Sequence, residues 1–318
     1  MNLTGHDDVW REWRAAMASD RMHHGWILAG KRGIGKGGFA RAAARALVAE
    51  AGIPQPENHP DIILLDHLPN NDDEEKKRAD GKPYQLKRNI TIDQIRRMQQ
   101  RLTTRPTLGS RRVIIIDPAD DLEKNAVNAL LKSLEEPPVG SFFLLISHRP
   151  GRLLATIRSR CRMMRFAPLA GGDVDAVLLR EAPEANAASR AAAIAAAEGS
   201  PGAALGFVAQ ELAPLHDLML RIIREGDDNF VHRGALAEEI GGKPDRERIQ
   251  ASFDLARAVL AQDLATAPRH RQLRIIEAHG AITRLAAQAP TYNFDAGLLV
   301  MEIGTLLASA AMPRETAS

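Results

Sequence analysis

Apolar residues in the first half of the chain fall into short unbroken runs, and in the second half into helical stripes. WILAG (26–30), DIILLDHL (61–68), RVIIID (112–117) and SFFLLIS (141–147) each hold four or more consecutive apolar residues, the pattern of strands buried on both faces. Between them FARAAARALVAE (39–50), ITIDQIRRMQQRL (90–102) and LEKNAVNALLKSLEE (122–136) predict helices, the last stopped by Pro137 and Pro138. Strands alternating with helices predict an α/β domain over 1–166, a parallel sheet with helices on both faces. The run PNNDDEEKKRADGKPYQLKRN (69–89) mixes both charges, offers no apolar face and is expected to be a mobile surface loop.

After Arg165 strand signals cease. DVDAVLLREA (173–182) and AASRAAAIAAAE (187–198), with a stop at GSPG (199–202), predict a small helical domain over 167–211, in which the alanine-rich stretch is a tightly packed helix. Longer amphipathic segments follow: 215–225, 248–264, 271–289 and 294–311. They predict an all-helical third domain over 212–318.

Composition narrows the classes. At 318 residues the chain has room for two or three domains, and 42 Lys and Arg against 40 Asp and Glu leave a net charge of +2. That balance argues against a dedicated, strongly basic DNA-binding adaptor, whose contacts would need a concentrated patch. One cysteine, Cys161, excludes an internal disulfide and fits a reducing cytoplasm. No segment has the apolar length of a membrane span, and MNLTGHDDVWREWRAAM lacks the basic start and apolar core of a signal peptide.

The chemistry concentrates in ILAGKRGIGKGG (27–38). Gly30, Gly33, Gly35 and Lys36 make a phosphate-binding loop between a strand and a helix, but Gly37 stands where the motif has a Mg²⁺-ligating Ser or Thr. Asp117, at the end of the third strand run, is placed as a metal-facing carboxylate. Pro118 follows it, where an acidic residue would orient an attacking water. Two losses in one apparatus point to a nucleotide fold kept for something other than hydrolysis. ATP or ADP binding without turnover is the expectation, with no cofactor required.

DPADDLEKNAVNALLKSLEEPP (117–138), SHRPGRLLATIRSRC (147–161), GSPGAAL (199–205), NFDAGLLVMEIGTLL (293–307) and the HPD triplet (59–61) together resemble the bacterial clamp loaders of the AAA+ family, and within it the subunits that do not hydrolyse ATP. The resemblance implies an AAA+ domain, a helical lid and a C-terminal collar. Its implied partners are the gamma/tau motor and delta subunits of the DNA polymerase III loader, the sliding clamp, and primer-template DNA through the complex. Arg160, in the triplet Ser159-Arg160-Cys161, is by resemblance an arginine finger acting on a neighbour's ATP; a planar, permanent charge suits that role. Chemistry alone leaves it one of four surface arginines with Arg158, Arg162 and Arg165. Ser147 matches the sensor-1 position, and Ala203 and Ala204 replace the arginine that hydrolysing relatives carry in the lid. Lys132 reads as part of a solvated helix face. The four-cysteine zinc module of many relatives is missing from VAEAGIPQPENHPD (48–61), so zinc is not expected. An active gamma/tau-like motor is the main rival, and it would need a hydroxyl at 37 and an acid at 118.

Overall fold

The structure, a computed structural model, describes residues 4–19, 21–242, 244, 246–289 and 295–311. It divides into two compact units, Met1–Leu169 and Ala170–Ser318. The division falls three residues after the expected boundary at 166, and the second unit holds the rest of the expected lid together with the expected collar.

In the first unit, strands β1 (Gly25–Ala29), β2 (Ile62–Leu65), β3 (Arg112–Ile116), β4 (Ser141–Ser147) and β5 (Arg162–Arg165) form one parallel sheet in the order β2-β3-β4-β1-β5. Because side chains alternate along a strand, each apolar run supplies both faces. Ile27, Ile114, Ile116, Phe143 and Leu145 pack under helices α4 (Ile92–Leu102) and α5 (Lys124–Glu135). Trp26, Leu28, Val113, Ile115 and Leu144 pack under α1 (Asp7–Met17) and α2 (Lys36–Val48). There Trp13 meets Trp26 edge-on, with ring centres 5.4 Å apart.

Two elements depart from the sequence expectation. Residues 69–89 contain a helix, α3 (Asp72–Ala79), where only a surface loop was expected. It has no apolar face because it does not form by burial. Asn71 caps it through Glu74 N, four acidic residues fill the first turn, and three basic residues follow in the last, each sign at the favourable end of the helix dipole. Glu74 also accepts a hydrogen bond from Gln85 N at 2.7 Å, and an isolated antiparallel bridge pairs Pro69 with Leu86. The second departure is β5, an edge strand in which only Met164 is buried, so RMMR lacks an apolar run.

The second unit is helical throughout its described residues: α7 (Gly171–Glu181), α8 (Ala187–Ala197), α9 (Pro201–Ala209), α10 (Ala213–Glu225), α11 (Val231–Ile240), α12 (Arg246–Thr266), α13 (Arg269–Gln288) and α14 (Ala296–Ser309). Between β4 and β5 of the first unit lies α6 (Ala155–Arg158). The alanine-rich α8 packs against α9, and also against α10 and α12, so the expected lid–collar boundary at 211 lies in a turn inside the unit. Buried Arg271 donates to Ala310 O and Ile223 O while paired with Asp263, satisfying carbonyls at the ends of two helices at once. The first two residues of the family-like stretch 293–307 lie outside the described residues.

Candidate functional site

The phosphate loop joins β1 to α2, as its sequence requires. Gly35 adopts φ 104° at the helix start, a conformation open to glycine, and a Cβ on Gly30 would stand 2.7 Å from Phe166 O. Beside the loop, at the carboxyl edge of the sheet, is a cavity of about 480 Å³ lined by Gly33, Lys36, His67, Asp117, Pro118 and His148 among others. The structure thus gathers Gly30, Gly33, Gly35, Lys36, Asp117 and Ser147 at one edge.

What these groups do there is mostly bind one another. Lys36 is buried, and its Nζ donates to Gly30 O at 2.7 Å and Lys31 O at 2.5 Å. Burial pushes its pKa down to about 8 against the opposing charges of Asp117 and Asp120. A Cβ on Gly37 would point between Asp117 Oδ2, at 3.1 Å, and Arg41 Nη1, at 3.3 Å. A hydroxyl at this position would therefore reach the Asp117 carboxylate, as a shared metal shell demands; here that space borders a guanidinium instead. Burial holds the Asp117 carboxyl above its ordinary range, with Arg41 and then Lys36 as the strongest opposing charges. Of the two side chains with which this motif holds a nucleotide-bound Mg²⁺, the carboxylate of Asp117 is present and the hydroxyl at 37 is missing.

Ser147 is fully buried, and its hydroxyl donates to Asp120 Oδ1 at 2.8 Å. Asp120 also accepts from His148 N and Arg149 N at 2.5 and 3.2 Å, so one carboxylate takes the whole end of β4. Burial, then the charge of Lys36, pushes the His148 pKa down to about 4, leaving a neutral ring whose buried Nδ1 has no hydrogen-bond partner among the described residues. His67 is shifted the other way by Asp121, 3.2 Å away, an ion-pair contact rather than a well-directed hydrogen bond. Among the described residues no group of three or more His, Cys, Asp or Glu is arranged to hold a metal ion.

Arg160 lies elsewhere. It follows α6 and precedes β5, at the amino edge of the sheet, so it does not join its own chain's phosphate loop. Its Nη2 pairs with Glu135 Oε1 at 2.5 Å, and its Nη1 donates to Thr156 O at 3.0 Å.

The family model described as DNA polymerase III, delta subunit, matches residues 5–170. The chain belongs to this family. It is 34% identical over 192 residues to the DNA polymerase III subunit delta' of Pseudomonas aeruginosa, covering 56% of this chain and 53% of that protein. To the delta' subunit of Escherichia coli it is 31% identical over 206 residues, 61% of this chain and 57% of the relative. The chain thus spans a little over half the length of these curated relatives. A Bacillus subtilis tau subunit is 25% identical over 259 residues, 76% of this chain and 42% of that one. A gamma-subunit-related protein of Thermotoga maritima, of known structure, superposes with a TM-score of 0.47 at 20% identity, over 95% of this chain and 99% of the other.

Within this delta-subunit family chain, the HPD triplet is a structural clasp. Asp61 is fully buried at the amino edge of the sheet, accepting from Thr107 N, Leu108 N and Arg112 Nη2 at 2.7, 2.8 and 3.2 Å. Ala204 is buried in α9 and Lys132 is exposed on α5. Three residues that shape the site were not anticipated: Arg41, Asp120 and Glu135. Arg41 had a signal, since it lies four residues after Gly37 on the same helix face. Asp120 stands in the acidic stretch after β3, but its partners on β4 depend on strand order, which no motif prints.

Proposed function

We propose that this chain is a delta-prime-type, non-hydrolysing component of the DNA polymerase III clamp loader, acting while the sliding clamp is placed on primed DNA. In this reading the polymerase, a nucleotidyltransferase, belongs to the holoenzyme, and the chain acts in trans. Its residues 1–166 form the AAA+ frame, 167–211 a lid, and 212–318 a collar shared with gamma/tau and delta subunits. Arg160 meets the γ-phosphate of a neighbour's ATP, where a guanidinium stabilises charge developing in phosphoryl transfer. ATP or ADP can occupy the chain's own loop without being turned over, and neither zinc nor another cofactor is needed.

The observation that carries the reading is the direction of position 37. It points at Asp117 with no hydroxyl to offer and with Arg41 alongside, while Pro118 occupies the place of the water-orienting acid. The family membership and the names of the relatives support the loader assignment. The test is ATP turnover by the purified chain with Mg²⁺: background rates are expected. Turnover that disappears in Lys36→Ala would overturn the reading in favour of an active motor.

A further inference from the structure

The amino edge of the sheet holds an ion pair whose value to the fold is small and whose geometric effect is large. Arg160 and Glu135 are 33% and 47% exposed, a setting in which ion pairs contribute little stability. Yet the guanidinium is fixed from two sides, by Glu135 Oε1 on Nη2 and by Thr156 O on Nη1, with Ser159 Oγ at the limit of reach, 3.5 Å. Both anchors stand on firm ground. Glu135 ends α5, whose preceding Leu134 is buried and accepts from His24 Nε2 at 2.9 Å through its carbonyl. Thr156 sits beside Ile157, which is fully buried in the core. Of the five N–H donors of an arginine, the Nε–H and one Nη2–H have no acceptor among the described residues.

We propose that Glu135 is the positioning residue of Arg160: it holds the guanidinium in one rotamer, two donors outward, before a phosphate of the neighbouring subunit arrives. This inference rests on the reading of Arg160 as a finger acting in trans. A long side chain that is already ordered loses less rotamer freedom when it docks, so its interaction is better realised in the transition state. Glu135 meets no substrate; it acts through Arg160 alone.

The experiment uses the reconstituted loader, with the full chain and its partner subunits, and measures ATP hydrolysis stimulated by clamp and primed DNA. Glu135→Ala should lower kcat at the affected site about three- to tenfold, the range for one immobilised rotamer-rich side chain, with KM for ATP unchanged. Glu135→Gln, which keeps an acceptor oxygen, should stay near the parent rate, and each variant should melt like the parent. The double variant Glu135→Ala with Arg160→Ala should be no slower than Arg160→Ala alone, because a residue acting only through another adds nothing once its partner is gone. A defect in Arg160→Ala with the parent rate, or a faster one, in Glu135→Ala overturns the positioning role and leaves the finger intact. Parent rates in Arg160→Ala overturn the finger, and this inference with it.

Discussion

At the carboxyl edge of the sheet, Lys36 donates to its own loop, Ser147 is bound to Asp120, and Arg41 borders Asp117. At the amino edge, Arg160 is gripped by Glu135 and Thr156 but keeps donors without an acceptor among the described residues. The two edges share a core and differ in where their polar groups find partners. Groups already satisfied by their own chain gain little by taking a ligand, whereas a fixed, partly desolvated cation with donors to spare is ready for an anion from outside. In the proposed reading, the usual division of labour in a phosphate-loop fold is reversed.

The sharpest way to break this comparison is at Arg160. Arg160→Ala in the reconstituted loader should cost roughly a thousandfold at the affected site, with the other sites masking part of it in the bulk rate. Arg160→Lys should not restore the rate, because an ammonium lacks the planar fork. Arg165→Ala, an exposed arginine on the same stretch, is the control; equal behaviour of the two alanine variants would make Arg160 an ordinary surface charge.

The amino edge also depends on its clasp. Removing one partner of the buried Asp61–Arg112 pair leaves an uncompensated charge, so Arg112→Ala should destabilise the first unit by about 3–5 kcal/mol in denaturant unfolding. A loss under about 1 kcal/mol would mean that the hydrogen bonds from Thr107 and Leu108 hold Asp61 without the arginine.

The carboxyl edge can be tested by reopening it. Gly37→Thr alone should bring no Mg²⁺-dependent gain in ADP affinity while Arg41 stays beside Asp117. Gly37→Thr with Arg41→Ala should bring one on the order of tenfold, comparable to changes around metal ligands elsewhere, as titration calorimetry with and without EDTA would show. An equal gain in the single variant would remove Arg41 from the account.

The smallest effect is a slope. Lys36 has a folded pKa of about 8 against an ordinary 10.5, so between those values the unfolded chain binds more protons than the folded one. Stability should therefore rise with pH through that window. Lys36→Met should flatten the rise in Tm measured from pH 8 to 10.5. An unchanged slope would assign it to other groups.

How much of this was legible depends on what makes each element form. Strands β1, β3 and β4 are apolar on both faces, so Ile27, Val113–Ile116 and Phe143–Ile146 announce themselves; β5, at an edge with one buried side chain, does not. The helix α3 forms through its cap and its charges, which a search for apolar periodicity passes over, although Asn71 with Glu74 three residues later is a helix-start signature. The loop glycines, Lys36, Asp117 and the defects at 37 and 118 were readable because covalent order fixes their spacing. Asp120 and Glu135 act on residues 27 and 25 positions away, across neighbouring elements, and only the tertiary fold brings them together.

All three tryptophans, Trp10, Trp13 and Trp26, belong to the first unit, two of them meeting edge-on in its core. Intrinsic tryptophan emission is therefore a private signal of that unit, silent about the helices after residue 169. Circular dichroism has the opposite bias, since the second unit contributes helix and no described strand. A single sample watched by both optical channels would separate the unfolding of the two units without cutting the chain, and would assign each variant's damage to the half that suffers it.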